Sequence, residues 1–245
     1  MKTLKTISIG DIHGRACWKE LDPDKYDRII FVGDYVDSRS YTDAKILSNF
    51  KAIITLKRKH PNKVILLLGN HDMHYMYYPQ FPCSRFRPQM QPKLTTLFNE
   101  NKSLFQVAYQ LKNVLWTHAG VSKTWYQGAF NTISEFKNQR PNCNLADILN
   151  LISESKHYKI LHIVGSIRGG YVGNPGGILW ADDSETQEDC LYGYHQIVGH
   201  NPVATIKNIR HRKSSITYID CLETEVNFLE LTIKLTETEY LLITK

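Results

Sequence analysis

Four short apolar runs, at residues 4–9, 29–32, 64–68 and 114–116, each end at Gly or Thr followed at once by Asp, Asn or His. A shorter run at 196–198 ends the same way, at Gly199-His200. Predominantly apolar runs of this length read as buried strands. Between the first three lie a helical stretch at 15–21 and a longer amphipathic helix at 41–60. In the longer one Ile46, Leu47, Phe50, Ile53, Ile54 and Leu56 recur at helical spacing. Pro61-Asn62 stops that helix. A β-α-β-α-β beginning predicts a largely parallel, right-handed arrangement.

The middle of the chain is less regular. Residues 79–92, rich in Pro, Arg and aromatics, show no period and read as a surface excursion placed to cap a site. Helical patterns follow at 93–99, 122–137 and 145–155, with a strand at 105–110. Residues 168–177 form a glycine-rich, irregular loop. After His200 the pattern alternates at 206–209, 215–219, 225–233 and 240–243, which predicts antiparallel strands. No internal repeat or linker interrupts the pattern, so a single domain spanning 1–245 is expected.

Composition narrows the class. A chain of 245 residues can bury a large core. Its apolar runs are far too short to cross a bilayer, so no membrane partner is expected. The amino terminus runs directly into the first strand without a leader pattern, which points to the cytoplasm. Cys17, Cys83, Cys143, Cys190 and Cys221 are scattered and odd in number, with no Cys-x-x-Cys pair. They read as reduced thiols rather than a disulfide framework or a thiolate zinc site. The formal charge of +6 suits an anionic substrate. Basic clusters at 57–60 and 210–213 read as solvated surface, with nucleic acid as the alternative partner. Nothing in the sequence bears on oligomeric state.

Strands that finish together present their following loops on one rim, so the polar residues at the five strand ends should converge. Two metal ions a few ångströms apart need one bridging carboxylate. Asp34, directly ending the second strand, is the candidate. Asp11 and His13 can turn toward one ion around the Gly10/Gly14 turn, and Asn70, His118 and His200 supply a neutral shell for the second. An oxygen and imidazole set without thiolate favours two divalent ions, manganese first, with iron or zinc as alternatives. His71 is placed to donate a proton to a leaving oxygen, with Asp37 fixing its tautomer. The alternative for Asp37 is a helix cap. Asp72 and His74 are left as supporting or helix-start residues.

These segments, Gly10-Asp11-Ile12-His13-Gly14, Gly33-Asp34-Tyr35-Val36-Asp37, Gly69-Asn70-His71-Asp72, His118-Ala119-Gly120 and Gly199-His200, resemble those of the calcineurin-like metallophosphoesterase superfamily. The branch they resemble holds the phosphoprotein phosphatases and the diadenosine tetraphosphate hydrolases. The resemblance implies an α/β fold with a central β-sandwich flanked by helices. It implies Asp11, His13 and Asp34 on one metal, Asp34, Asn70, His118 and His200 on the other, and His71 with Asp37 as the proton-donating pair. Family members usually carry Arg directly after Asp37, where it binds phosphate. Here Ser38 stands there and Arg39 follows. The segment Ser166-Ile167-Arg168-Gly169-Gly170 resembles an arginine-glycine segment of bacterial members and makes Arg168 a second phosphate ligand; Arg85 is a third candidate.

The implied chemistry is direct attack of a metal-bridging hydroxide on phosphorus, without a covalent phosphoenzyme. The first substrate reading is a phosphomonoester of the serine/threonine phosphoprotein type or a small phosphoester. A nucleotide pyrophosphohydrolase is the alternative favoured by the Gly-Asn-His-Asp-Met-His segment. An end-processing phosphatase on nucleic acid is favoured by the basic charge and by Tyr77, Tyr78 and Phe81 as stacking platforms. A metal-binding scaffold without turnover would lack a ligand or the proton donor, and this chain has both.

Overall fold

The computed structural model describes residues 3–235; the strand expected at 240–243 lies outside the described residues. Two five-stranded sheets pack against one another. The first has the order β10 (Leu229–Lys234), β1 (Thr3–Ile9), β2 (Arg28–Phe31), β3 (Val64–Leu67), β4 (Phe105–Gln106). Strands β1 to β4 are parallel and β10 is antiparallel to β1. The second has the order β5 (Ala108–Leu111), β6 (Val114–Thr117), β7 (His195–Val198), β9 (Ser214–Tyr218), β8 (Lys207–His211). Its three central strands are parallel and its two edges antiparallel.

Alternation along the strands builds two cores. Ile30, Val32, Ile65 and Leu67 meet Val114, Trp116 and Ile197 between the sheets. Ile29, Phe31, Val64 and Leu66, pointing the other way, belong to the larger core shared with the helices α1 (Asp43–Lys59) and α3 (Gln91–Glu100). Strands β2 and β3 therefore lack a wet face, which is why their runs carry no polar alternation. The indole Nε1 of Trp116 donates to Ser8 Oγ at 2.9 Å and crosses between the sheets.

Several boundaries differ from the sequence expectations. The stretch 15–21 forms only a 3₁₀ turn, Cys17–Glu20. The long helix starts at Asp43, where Thr42 caps the Lys45 N–H. Its last turn holds Lys57, Arg58 and Lys59, cations that favour its negative end. The expected strand 105–110 is two strands in different sheets, because Asn150 Oδ1 accepts from both Val107 and Ala108 N–H and takes the chain out of one ladder into the other. The stretch 122–137 is two helices, α4 (Lys123–Gly128) and α5 (Phe130–Gln139), followed by α6 (Leu145–Ser153). Strand β9 pairs antiparallel with β8 but parallel with β7, so the closing strands are not purely antiparallel. Among the described residues no helix is long and apolar enough to cross a membrane.

Candidate active site

Strands β1, β2 and β3 run parallel in one sheet, β6 and β7 parallel in the other, and the loops after all five meet at one cavity of about 430 Å³. Its lining includes Asp11, His13, Asp34, Asn70, His71 and His200. The side chain of His118 is fully buried beneath, with Nε2 3.0 Å from Asn70 Oδ1. All six expected ligands, and the expected proton donor, are thus brought together.

Asp34 stands at the centre. Its Oδ2 lies 3.6 Å from His13 Nε2 and 3.6 Å from His118 Nε2. Ligand atoms of Asp11, Asp34 and His118 all fall within 4.8 Å of one another, and so do those of His13, Asp34 and His71. The two groups share only Asp34, the position expected for a bridging carboxylate, but they divide the rest differently from the expected sets, with Asp11 beside His118 and His71 beside His13.

Hydrogen bonding behind the imidazoles fixes what they present. His13 Nδ1 is 2.8 Å from the Val36 carbonyl and His118 Nδ1 is 2.9 Å from the Val32 carbonyl, so each Nδ1 donates and each Nε2 carries a lone pair. Burial first, then neighbouring cationic groups for His13, pushes its pKa down to about 3; burial does the same to His118. Neutral rings with inward lone pairs face Asp34 Oδ2 and Asn70 Oδ1. His200 Nδ1 lies 3.0 Å from the same Asn70 oxygen and 3.2 Å from His118 Nε2, while its own Nε2 is buried without a partner among the described residues. Lone pairs gathered against lone pairs are repulsive unless cations sit between them, so this donor set fits a pair of metal ions.

The carboxylates carry the same message. Burial, then Asp220, raises Asp11 well above the usual carboxylate range; burial, then Asp11 and Asp72, does so for Asp34. Asp72 is pushed to about 7 by burial, opposed by three backbone donors. It accepts from the N–H groups of Gly69 (2.9 Å), Asp34 (2.8 Å) and Tyr35 (2.9 Å). Asp72 therefore locks the Asp34 loop to the first turn of α2 (Asn70–Met76), resolving a role that the sequence left open.

Two glycines make room for these acids. A Cβ at Gly69 would fall 2.0 Å from Asp34 Oδ1, and one at Gly199 would fall 2.0 Å from Asp11 Oδ1. The backbone is also strained here: His13, Asp34, Asp37, Arg85 and His200 all have φ between 41° and 64°, the left-handed region. Such strain persists only where the surroundings impose it, and it clusters at functional sites.

His71 Nδ1 lies 2.8 Å from Asp37 Oδ2. Asp37 is fully buried and its other oxygen accepts from Tyr75 OH at 2.5 Å, so it does not cap a helix. Of the three arginines, Arg85 and Arg168 line the cavity. Arg168 Nε is 2.7 Å from Asp182 Oδ2, and its Nη2 donates to Asn201 Oδ1. Arg39 is exposed and is not part of the lining. Ser38, in the place of the family arginine, turns its Oγ to the N–H groups of Ser40 and Tyr41 and serves the loop rather than the cavity.

Residues 79–92 do border the site, through Pro82, Ser84 and Arg85. Cys83 sews this segment down. Its N–H donates to His74 Nδ1 (3.3 Å), its Sγ accepts from Asn70 Nδ2 (3.2 Å), and its S–H reaches the Asn70 carbonyl (3.1 Å). The aromatics offered as stacking platforms are already stacked on neighbouring rings, Tyr77 and Phe81 half-buried and Tyr78 exposed. Tyr77 stacks on Tyr158 (5.2 Å between centroids), Phe81 on His162 (3.8 Å) and Tyr78 on Phe86 (5.5 Å).

Sequence reasoning missed Asp220, Glu223 and Trp180 in the lining and Cys83 behind Asn70. Asp220 was within reach of the same rule, since it follows strand β9 as Asp34 follows β2. Cys83 carries no sequence signal, because its partner lies thirteen residues away across a loop.

The sequence pattern of the calcineurin-like phosphoesterases matches residues 4–204, the span that carries the six expected ligands and the His71–Asp37 pair. The chain belongs to that family. It is 30% identical over 138 residues to the symmetrical bis(5'-nucleosyl)-tetraphosphatase of Baumannia cicadellinicola, covering 50% of this chain and 44% of that protein. It is 34% identical over 68 residues to the serine/threonine-protein phosphatase 6 catalytic subunit of Drosophila melanogaster, covering 26% and 21%. The chain thus spans less than half the length of these curated relatives. In fold it is similar to a cold-active protein-tyrosine phosphatase of a psychrophilic Shewanella species, with a TM-score of 0.57 and 16% identity over 95% of this chain and 76% of that one. A serine/threonine phosphatase of Saccharomyces cerevisiae gives 0.51 and 15% over 93% and 72%. The calcineurin-like fold expected from the sequence is thus present, with its two mixed sheets and flanking helices.

Proposed function

We propose that this calcineurin-like protein is a two-metal phosphomonoesterase acting on phosphorylated protein or small phosphoesters. One observation carries the reading: Asp34 lies between the lone-pair nitrogens of His13 and His118, beside the His71–Asp37 pair and two arginines in a single cavity. Asp11, His13 and Asp34 would hold one divalent ion, and Asp34, Asn70, His118 and His200 the other. When bound, such a pair supplies Lewis acidity that lowers the pKa of a water and offsets charge on phosphoryl oxygens.

The chain's own groups supply the rest. Arg168, held by Asp182 and Asn201, and Arg85 would bind the remaining phosphoryl oxygens. His71 presents Nε2 while Asp37 holds its Nδ1 proton, the arrangement of an imidazole that protonates a leaving oxygen. Tyr75 fixes Asp37 in turn. Phosphate release from p-nitrophenyl phosphate, measured with manganese and with chelator, tests the reading. Absence of metal-stimulated release with manganese, iron and zinc alike would remove it.

A second reading, a nucleotide pyrophosphohydrolase, is favoured by the identity to the tetraphosphatase over half of this chain. Diadenosine tetraphosphate in the same assay separates the two.

A further inference from the structure

A single 3₁₀ turn, Ser166–Arg168, divides the catalytic cavity from a second concavity of about 460 Å³. Arg168 lines the first; Ser166 and Ile167 line the second. The second is walled further by Thr124 at the start of α4, by Pro175, and by Glu188 and Asp189 at the end of α7 (Asp183–Glu188).

The loop that carries this turn is braced from within. Ser166 N–H donates to the Asn174 carbonyl (3.0 Å), Ser166 Oγ accepts from Gly173 N–H (2.9 Å), and Gly170 N–H donates to the Gly165 carbonyl (3.0 Å). A Cβ at Gly170 would lie 1.8 Å from the Val164 carbonyl oxygen, so only glycine closes the loop here. The result holds Ile167, Tyr171 and Val172 out in solvent, at 62, 85 and 99% exposure. They are three of the seven large hydrophobic side chains exposed among the described residues, and all three sit beside the cavity arginine. Apolar side chains exposed together on the loop that carries a cavity residue mark a contact surface.

Charge decides what the surface contacts. No Lys or Arg lines the second concavity, Glu188 is exposed, and Asp189 is matched by Lys123 at 3.3 Å. The catalytic cavity adds Asp220 and Glu223 to its own lining. A ligand with further phosphates in the second concavity would meet the exposed Glu188 and no lining cation. A peptide with an apolar or basic neighbour beside its phosphorylated residue would not be repelled.

We infer that the second concavity and the Ile167, Tyr171, Val172 tip together receive the polypeptide flanking a phosphorylated side chain held in the catalytic cavity. The inference rests on the phosphoesterase reading above and names its substrate class.

The test compares Tyr171→Ser/Val172→Ser and, separately, Glu188→Lys with the wild type, each as the full manganese-loaded chain. Turnover is measured on p-nitrophenyl phosphate, on diadenosine tetraphosphate, and on a phosphothreonine peptide with Leu and Lys beside the phosphorylated residue. Binding of the same peptide with a non-hydrolysable phosphonate is read by fluorescence anisotropy. Both variants should turn over p-nitrophenyl phosphate within twofold of wild type, while peptide kcat/KM and phosphonate-peptide affinity fall at least fivefold. Peptide binding indifferent to both variants, or a loss shared equally with diadenosine tetraphosphate, would overturn the inference and leave the hydrolase reading standing. A wild type that binds the peptide through this tip yet hydrolyses none of the substrates would overturn the hydrolase reading alone.

Discussion

His71 Nδ1 is held 2.8 Å from an oxygen of Asp37, a carboxylate that no solvent reaches. An acid buried this way orients an imidazole and fixes which ring nitrogen carries the proton. Replacing His71 by Asn should lower kcat by about 10²–10³-fold with manganese affinity unchanged. Asp37→Asn should lower it by a smaller factor. Both losses should be larger for an alkyl phosphate than for p-nitrophenyl phosphate, whose leaving group needs little protonation. A steady-state comparison of the two substrates checks this. Equal losses on both would assign the pair to positioning rather than to proton donation.

Asp34 is raised well above the usual carboxylate range by burial and then by Asp11 and Asp72. Without cations, that charge destabilises the fold. Asp34→Asn is isosteric and keeps the acceptor for the His71 N–H (3.1 Å). The variant in chelator should melt above wild type by ~1–2 kcal/mol, about 2–8 °C for a chain of this size. Manganese should raise the melting temperature of wild type and leave the variant nearly unmoved. Differential scanning fluorimetry with and without metal reads both effects.

Cys83 accepts from Asn70 Nδ2, which turns Asn70 Oδ1 toward His118 and His200. Groups that orient a ligand are commonly worth about 10–100-fold in metal affinity. Cys83→Ala should therefore weaken manganese binding by about tenfold in calorimetry, and Cys83→Ser should recover most of it. Unchanged affinity in the alanine variant would show that the amide keeps its orientation unaided.

His162 is buried against Phe81, and neither ring nitrogen has a partner among the described residues. Burial lowers its pKa from 6.5 to about 3. Between those values the unfolded chain takes up a proton and the folded chain does not, so stability falls as pH drops from about 6.5 toward 3. By pH 5 the loss from this one group amounts to about 2 kcal/mol. His162→Phe keeps the stack and removes the proton. Its advantage over wild type in thermal melts should grow steadily from pH 7.5 to pH 5. A constant difference across that range would place the titration elsewhere.

Strand ends were readable from the chain alone because the apolar runs stop where turn-favouring Gly, Asp, Asn or His residues take the chain out of the sheet. That rule located Asp11, Asp34, Asn70, His118 and His200, and it would also have reached Asp220. Helix limits were less readable. The break after Gly128 and the sheet switch at Val107 depend on packing and on Asn150, forty-odd residues away.

The amino-acid order by itself determined which side chains stand at the carboxyl ends of β1, β2, β3, β6 and β7, because hydrophobic periodicity and turn chemistry act over a few residues. Tertiary structure alone decided that the two sheets bring these ends together. It also decided that Asp72 latches Asp34, that Cys83 rather than a neighbour orients Asn70, and that Arg85 and Arg168 face the cavity while Arg39 does not. Those outcomes hang on hydrogen bonds and burial between segments far apart in the chain, which no local pattern encodes.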